Sequence, residues 1–251
     1  MIGAGTLVAA DTSTRALWYL TRGTGVAALV MLTVSVVLGI VTTVRWAPPR
    51  WPKFVMEELH RSISLCVLVF LGLHVATAVV DGFAPIGWLD AVVPFRSPYR
   101  PVWLGLGAVA FDLLLAIVVT SLLRVRLGLR AWKVVHWAAY ACWPIALVHG
   151  LGAGSDTQRV WMLAVDGIAI AAVLVAVWTR IAEAPPEAWR ARAVAGVASV
   201  AVPLLLAAWV FAGPLHQGWA RRSGTPSSLL GSSNKQSVAH SSVVPSPGVD
   251  R

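Results

Sequence analysis

Apolar runs of about twenty residues recur along the chain, and at a rise of about 1.5 Å per residue a helix of that length crosses the hydrocarbon core of a bilayer. The pattern predicts six spanning helices: Ala16 to Val44, Val55 to Val80, Val102 to Leu123, Ala131 to Leu151, Val160 to Thr179 and Ala193 to Ala212. Proline clusters punctuate them, at Pro48, Pro49 and Pro52, at Pro94, Pro98 and Pro101, at Pro185 and Pro186, and at Pro214. From Gln217 onward Ser, Gly, Pro and Asn dominate, a composition that buries too little apolar surface to offset its ordering entropy. The expected organisation is a short N-terminal segment over 1–15, a six-helix transmembrane domain over 16–213 and a disordered tail over 214–251. No internal repeat stands out. Met1 to Thr14 carry no basic n-region of the kind that opens a cleavable signal.

Composition strengthens this reading. Of 251 residues 57% are hydrophobic and 12% charged, and mean hydropathy is +0.74. A soluble domain is nearer half apolar and a quarter charged. The fold class expected is all-α, a polytopic membrane helical bundle. The net charge of +9 would suggest nucleic acid in a soluble protein. Here the basic residues sit in short loops between apolar runs, which is the topogenic pattern of membrane proteins, so no nucleic-acid partner is expected. The loops after helices one, three and five carry Arg45, Arg50, Lys53, Arg124, Arg126, Arg130, Lys133, Arg180, Arg190 and Arg192. This is the larger of the two basic sets, and it predicts a cytoplasmic face there, with both termini outside and the chain in the cell membrane. Cys66 and Cys142 lie inside apolar segments and read as packing residues.

Against this apolar background the histidines carry the chemistry. His216 and His240 lie in or beside the polar tail and read as solvated. The other four fall two to a helix: His60 and His74, 14 positions apart, and His136 and His149, 13 apart. The two helices cross in the same direction, so His60 and His136 share one level and His74 and His149 another, about 20 Å away. Two imidazole pairs at matching depths suit two stacked bis-histidine haems, whose iron takes imidazole nitrogen as axial ligand. The alternatives are four buried polar side chains bonded to carbonyls, or a zinc site. Ionisable residues in spans are rare and usually functional, which weakens the first; ligands split between two levels do not converge on one ion, which weakens the second. The angular match is incomplete. Fourteen residues return a helical side chain to within about 40° of its starting direction, but thirteen leave it about 140° away. Pro144, between His136 and His149, offers a kink.

Helix two reads L-H-R-S-I-S-L-C-V-L-V-F-L-G-L-H-V. Helix four reads W-K-V-V-H-W-A-A-Y-A-C-W-P-I-A-L-V-H-G, preceded by T-S-L-L-R-V-R-L-G-L-R-A-W and followed shortly by G-S-D. Over about Arg22 to Arg180 these segments resemble the ferric reductase-like transmembrane domain. That superfamily includes ferric reductases, NADPH oxidases and the haem subunit of the periplasmic methionine sulfoxide reductase system. The resemblance implies two haem b groups, with His60 and His136 holding the inner one and His74 and His149 the outer one. It also implies electron flow from a cytoplasmic flavin or a quinol to an external acceptor. The flavin and nicotinamide domain of the longer family members has no counterpart here, and no glycine-rich dinucleotide fingerprint follows a strand. The expected donor is therefore a separate flavoprotein or a membrane quinol.

Haem propionates want basic partners. Arg61, Arg130 and Lys133 are candidates at the inner level, and Arg22, Arg96, Arg100 and Arg159 at the outer level, with Arg22 the strongest because it lies within an apolar run. For most of them, contact with lipid headgroups is the more ordinary role. Phe70, Tyr140 and Trp143 fall between the histidine levels and could pack between two haem planes or simply in the core. Asp112 and Asp166 lie within spans and could relay protons or pair with Arg22 or Thr120. The leading function is transmembrane electron transfer by a ferric reductase-like oxidoreductase subunit. A quinol-oxidising cytochrome of the b561 type, or a haem subunit of a partner periplasmic reductase, is the alternative. A haem-free transporter or scaffold is the alternative from another class.

Overall fold

The computed structural model describes residues 3–43 and 52–230. Arg45 and Arg50 of the first basic loop lie outside them, as does the tail beyond Leu230. The seven longer helices are α1 (Gly3–Val41), α2 (Lys53–Val80), α3 (Pro101–Leu122), α4 (Arg124–His136), α5 (Ala139–Ala153), α6 (Val160–Ala182) and α7 (Trp189–Ala212). Two single-turn helices follow, α8 (Trp219–Arg222) and α9 (Ser227–Leu230). No strand occurs among the described residues. Five helices are long and apolar enough to cross a membrane, and α4 with α5 forms a sixth, bent span. The protein is an all-α polytopic helical bundle.

The helices pack as two hairpins with two additions. α1 lies along α2, and α3 along α5 with α4 at its end. α6 packs on α1, and α7 rests mainly on α6. Two apolar clusters fill the interior. One gathers Leu29, Trp143, Leu147, Leu151, Met162, Ala169 and Val210; the other gathers Val67, Ala110, Leu114, Ile117 and Cys142. Many leucines and valines on the outer helix faces remain exposed, which in a bilayer is the face that lipid covers.

The structure departs from the sequence expectations in three places. α1 begins at Gly3, ahead of Ala16, so residues 3–15 continue the first helix rather than standing apart from it. The fourth span is broken between His136 and Ala139, with a bend of 44°. The break is not at Pro144, which sits inside α5. At the break the backbone closes three-residue turns, Ala138 N–H to Val135 O, Tyr140 N–H to Trp137 O and Ala141 N–H to Ala138 O. Such turns wind at about 120° per residue instead of about 100°, so each recovers about 20° of the rotation that separates His136 from His149. A second interruption, Gly128 at φ +78°, lets the basic segment before it turn away from the span.

The third departure is the start of the tail. Residues 217–230, expected to be disordered, fold back against the α3 and α5 ends. Trp219 packs on Trp103 and Trp209, each with the other within reach, and its indole N–H donates to Gly152 O at 3.0 Å. The Arg100 backbone N–H donates to Gly224 O, and its guanidinium to Thr225 Oγ1. One large aromatic and one buried arginine supply the anchorage that an average over Ser, Gly and Pro conceals.

Candidate functional site

The bundle brings the four intramembrane histidines together two by two. His60 on α2 faces His136 at the end of α4, with ring centroids 6.3 Å apart and planes at 75°. His74 on α2 faces His149 on α5, at 6.4 Å and 79°. Two imidazoles that share one metal through facing nitrogens, each bond about 2 Å long, hold their centroids about 6 Å apart. Both pairs have that separation.

Which nitrogen faces the partner is set by what the other one does. His60 Nδ1 lies 2.9 Å from Ser35 O, His74 Nδ1 2.8 Å from Thr21 O, and His149 Nδ1 2.8 Å from Trp103 O. A carbonyl only accepts, so each Nδ1 is the protonated nitrogen. In a neutral ring Nε2 then carries the lone pair, which is the ligating form. A carbonyl bonded this way also fixes the ring's orientation and raises its basicity. At His60 the seat is reinforced by Ser35 Oγ, 2.7 Å from Ser64 Oγ, which in turn donates to His60 O.

Three glycines make these seats possible. A helical Cβ tilts toward the N-terminus and covers the turn before it. The residue four positions after a carbonyl therefore shields its second lone pair. That residue is Gly25 after Thr21, Gly39 after Ser35 and Gly107 after Trp103. A Cβ at Gly25 would lie 2.9 Å from the His74 ring, at Gly39 3.3 Å from His60 and at Gly107 2.6 Å from His149. A signal for two of them was present in the sequence: Gly25 and Gly39 repeat the 14-residue spacing of His60 and His74.

His136 differs. Its Nδ1 is buried and has no hydrogen-bond partner among the described residues. Its ring stacks instead on Trp132, with centroids 4.9 Å apart and planes at 31°.

The basic candidates are dispersed. Arg22 pairs with Asp156 and lies over the Trp18 ring at 3.8 Å. Arg61 is exposed beside Glu58, and Lys133 is exposed one turn before His136. Arg96 reaches toward Asp90 at 4.0 Å. Arg100 is only 8% exposed and is committed to structure, its guanidinium donating to Gly152 O, Ala153 O and Thr225 Oγ1. It therefore ties the α3 start to the α5 end rather than standing free for an anionic ligand.

Of the aromatic candidates, Trp143 is buried and donates its indole N–H to Thr33 Oγ1 at 2.9 Å, while Tyr140 is exposed. Asp166 is buried with Oδ1 unpartnered. Neither pairing suggested for the acids forms: Arg22 takes Asp156, and the Thr120 hydroxyl donates to Ala116 O and Ile117 O of its own helix. No group of three or more His, Cys, Asp or Glu side chains converges on one point among the described residues.

The arrangement sets two facing imidazole pairs at two places in the bundle, each with room for one shared ligand between the rings and an apolar interior nearby. Residues 24–148 match the model of a family described as ferric reductase like transmembrane component. The match takes in His60, His74 and His136 and ends one residue before His149. Neither a curated protein nor a solved structure matches the chain significantly.

Proposed function

The chain belongs, over residues 24–148, to the ferric reductase like transmembrane family, and on that premise we propose that it carries electrons across a membrane through two b-type haems. The observation that supports this most is the pairing of four imidazoles into two facing couples at 6.3 and 6.4 Å. A haem held between two imidazoles supplies a one-electron carrier.

The chain's own residues do the rest. His60 with His136, and His74 with His149, would hold the two haems through their imidazole nitrogens. The carbonyls of Ser35, Thr21 and Trp103 keep three of these rings in the ligating tautomer and stop them from turning. Val67, Leu114, Leu147 and their neighbours exclude water from the interior, and this helps set a redox potential. Arg61, next to His60, and Lys133, one turn before His136, would offer cations to anionic haem edges at that level. Arg22 serves the other level indirectly, since Asp156 already holds it and couples α1 to the loop after α5. The basic loops orient the chain with the His60 and His136 level toward the cytoplasm, in the cell membrane, with both termini outside. Electrons enter there from a quinol or a separate flavoprotein and leave toward an external acceptor.

The test is a reduced-minus-oxidised spectrum of the purified protein with haem quantified. The expected result is a b-type spectrum from two haems per chain. His74→Ala and His149→Ala should each remove about one of them, because an axial ligand is lost. Undiminished haem in both variants, or a colourless wild type, refutes the proposal.

A further inference from the structure

The three glycine seats follow a register that points to where the fourth should be. In the first hairpin the accepting carbonyls are Thr21 and Ser35, 14 positions apart on α1. The early one serves the later histidine of α2 and the late one serves the earlier histidine. In the second hairpin Trp103, early on α3, serves His149, the later histidine. Fourteen positions further on stands Ile117, and four beyond that stands Ser121 where the other seats have glycine.

What happens at that position is visible. The Ser121 hydroxyl donates to Ile117 O at 2.7 Å, and the Thr120 hydroxyl approaches the same oxygen at 3.1 Å. Trp132 Nε1 donates to Ser121 Oγ at 3.1 Å, and the Trp132 ring stacks on His136. The carbonyl that would complete the set is thus covered by a Cβ and occupied by hydroxyls. The His136 ring is held by an aromatic face, and its Nδ1 is left without an acceptor.

We propose that Ser121 is a positioning residue that withholds the Ile117 carbonyl from His136. The His60–His136 pair then has one carbonyl-anchored imidazole where the His74–His149 pair has two, and the iron held by the first pair has a higher reduction potential than it would with glycine at 121. An Nδ1–H donated to a carbonyl makes the opposite nitrogen more basic, which favours the ferric ion. Without that bond the imidazole donates less, and the ferrous ion gains relative to the ferric. The inference rests on the haem reading above.

The experiment is a spectroscopic redox titration of the purified holoprotein, comparing wild type with Ser121→Gly and Ser121→Ala. Each iron takes one electron from the chemical reductant, and the midpoints are read without any turnover. Both variants remove the Ser121 hydroxyl and leave that of Thr120, whose shorter bond is to Ala116 O at 2.7 Å; only glycine also takes the Cβ off the Ile117 carbonyl. The expected result is that Ser121→Gly lowers one midpoint by an amount equivalent to about tenfold in the ferric-to-ferrous ratio, about 59 mV for one electron. The other midpoint stays, and Ser121→Ala does not reproduce the fall. Unmoved midpoints in Ser121→Gly, or an equal fall in Ser121→Ala, overturn the inference and leave the haem reading standing. A wild type without an iron chromophore overturns both.

Discussion

Placing a single methyl group at Gly107 should weaken one of the two paired sites. An alanine Cβ there would meet His149 Cε1 and Nδ1 at 2.6 Å. Carbon atoms in good contact lie about 3.5–4.0 Å apart, so the ring must retreat by about 1 Å. That retreat stretches the 2.8 Å bond from His149 Nδ1 to Trp103 O beyond hydrogen-bond length. Overpacking of this kind costs about 1–3 kcal/mol, and the lost hydrogen bond adds about 0.5–1.5 kcal/mol. At 1.4 kcal/mol per tenfold, and on the proposed haem function, the His74–His149 pair should hold a haem about 100-fold less tightly than in the wild type. The series Gly107→Ala, Gly25→Ala and Gly39→Ala should show decreasing loss, since the clearances are 2.6, 2.9 and 3.3 Å. Gly39→Ala should act on the other pair. Gly23→Ala is the control. Nothing lies within 4 Å of its Cβ, and removing a glycine from a helix gains up to about 1 kcal/mol. The assay is haem retained per chain after transfer to a haem-scavenging globin, with thermal unfolding in detergent alongside. Full retention in Gly107→Ala, or equal loss in Gly23→Ala, would refute the seat argument.

Two further outcomes test the ends of the bundle. Arg100→Met strips three side-chain hydrogen bonds from a buried position and should destabilise the protein by about 2–4 kcal/mol, read as a lower midpoint in thermal unfolding. Trp219→Ala removes the stacking on Trp103 and Trp209 and the bond to Gly152 O, so limited proteolysis should cut within residues 219–230 in the variant and spare them in the wild type.

The amino-acid sequence by itself determined the class and the family. Hydropathy is a local property, and long apolar runs with basic loops dictate helices that cross a bilayer whatever their neighbours are. The histidine spacings in helices two and four were likewise legible, because helical rise turns sequence distance into depth. Other features depended on which surfaces meet. The fourth span bends at Trp137 and Ala138 rather than at Pro144, and no local preference of those two residues announced it. Residues 217–230 are ordered by Trp103, Gly152 and Arg100, which lie far away in sequence. Gly25 and Gly39 showed their spacing in the sequence, but that an imidazole rests on each is a fact about α2 lying along α1. The same holds for Ser121, which reads as an ordinary helix residue until Ile117 O, Trp132 and His136 are seen around it. The physical reason is that a backbone carbonyl is present at every position. Only packing decides which of them is uncovered, and which side chain arrives to use it.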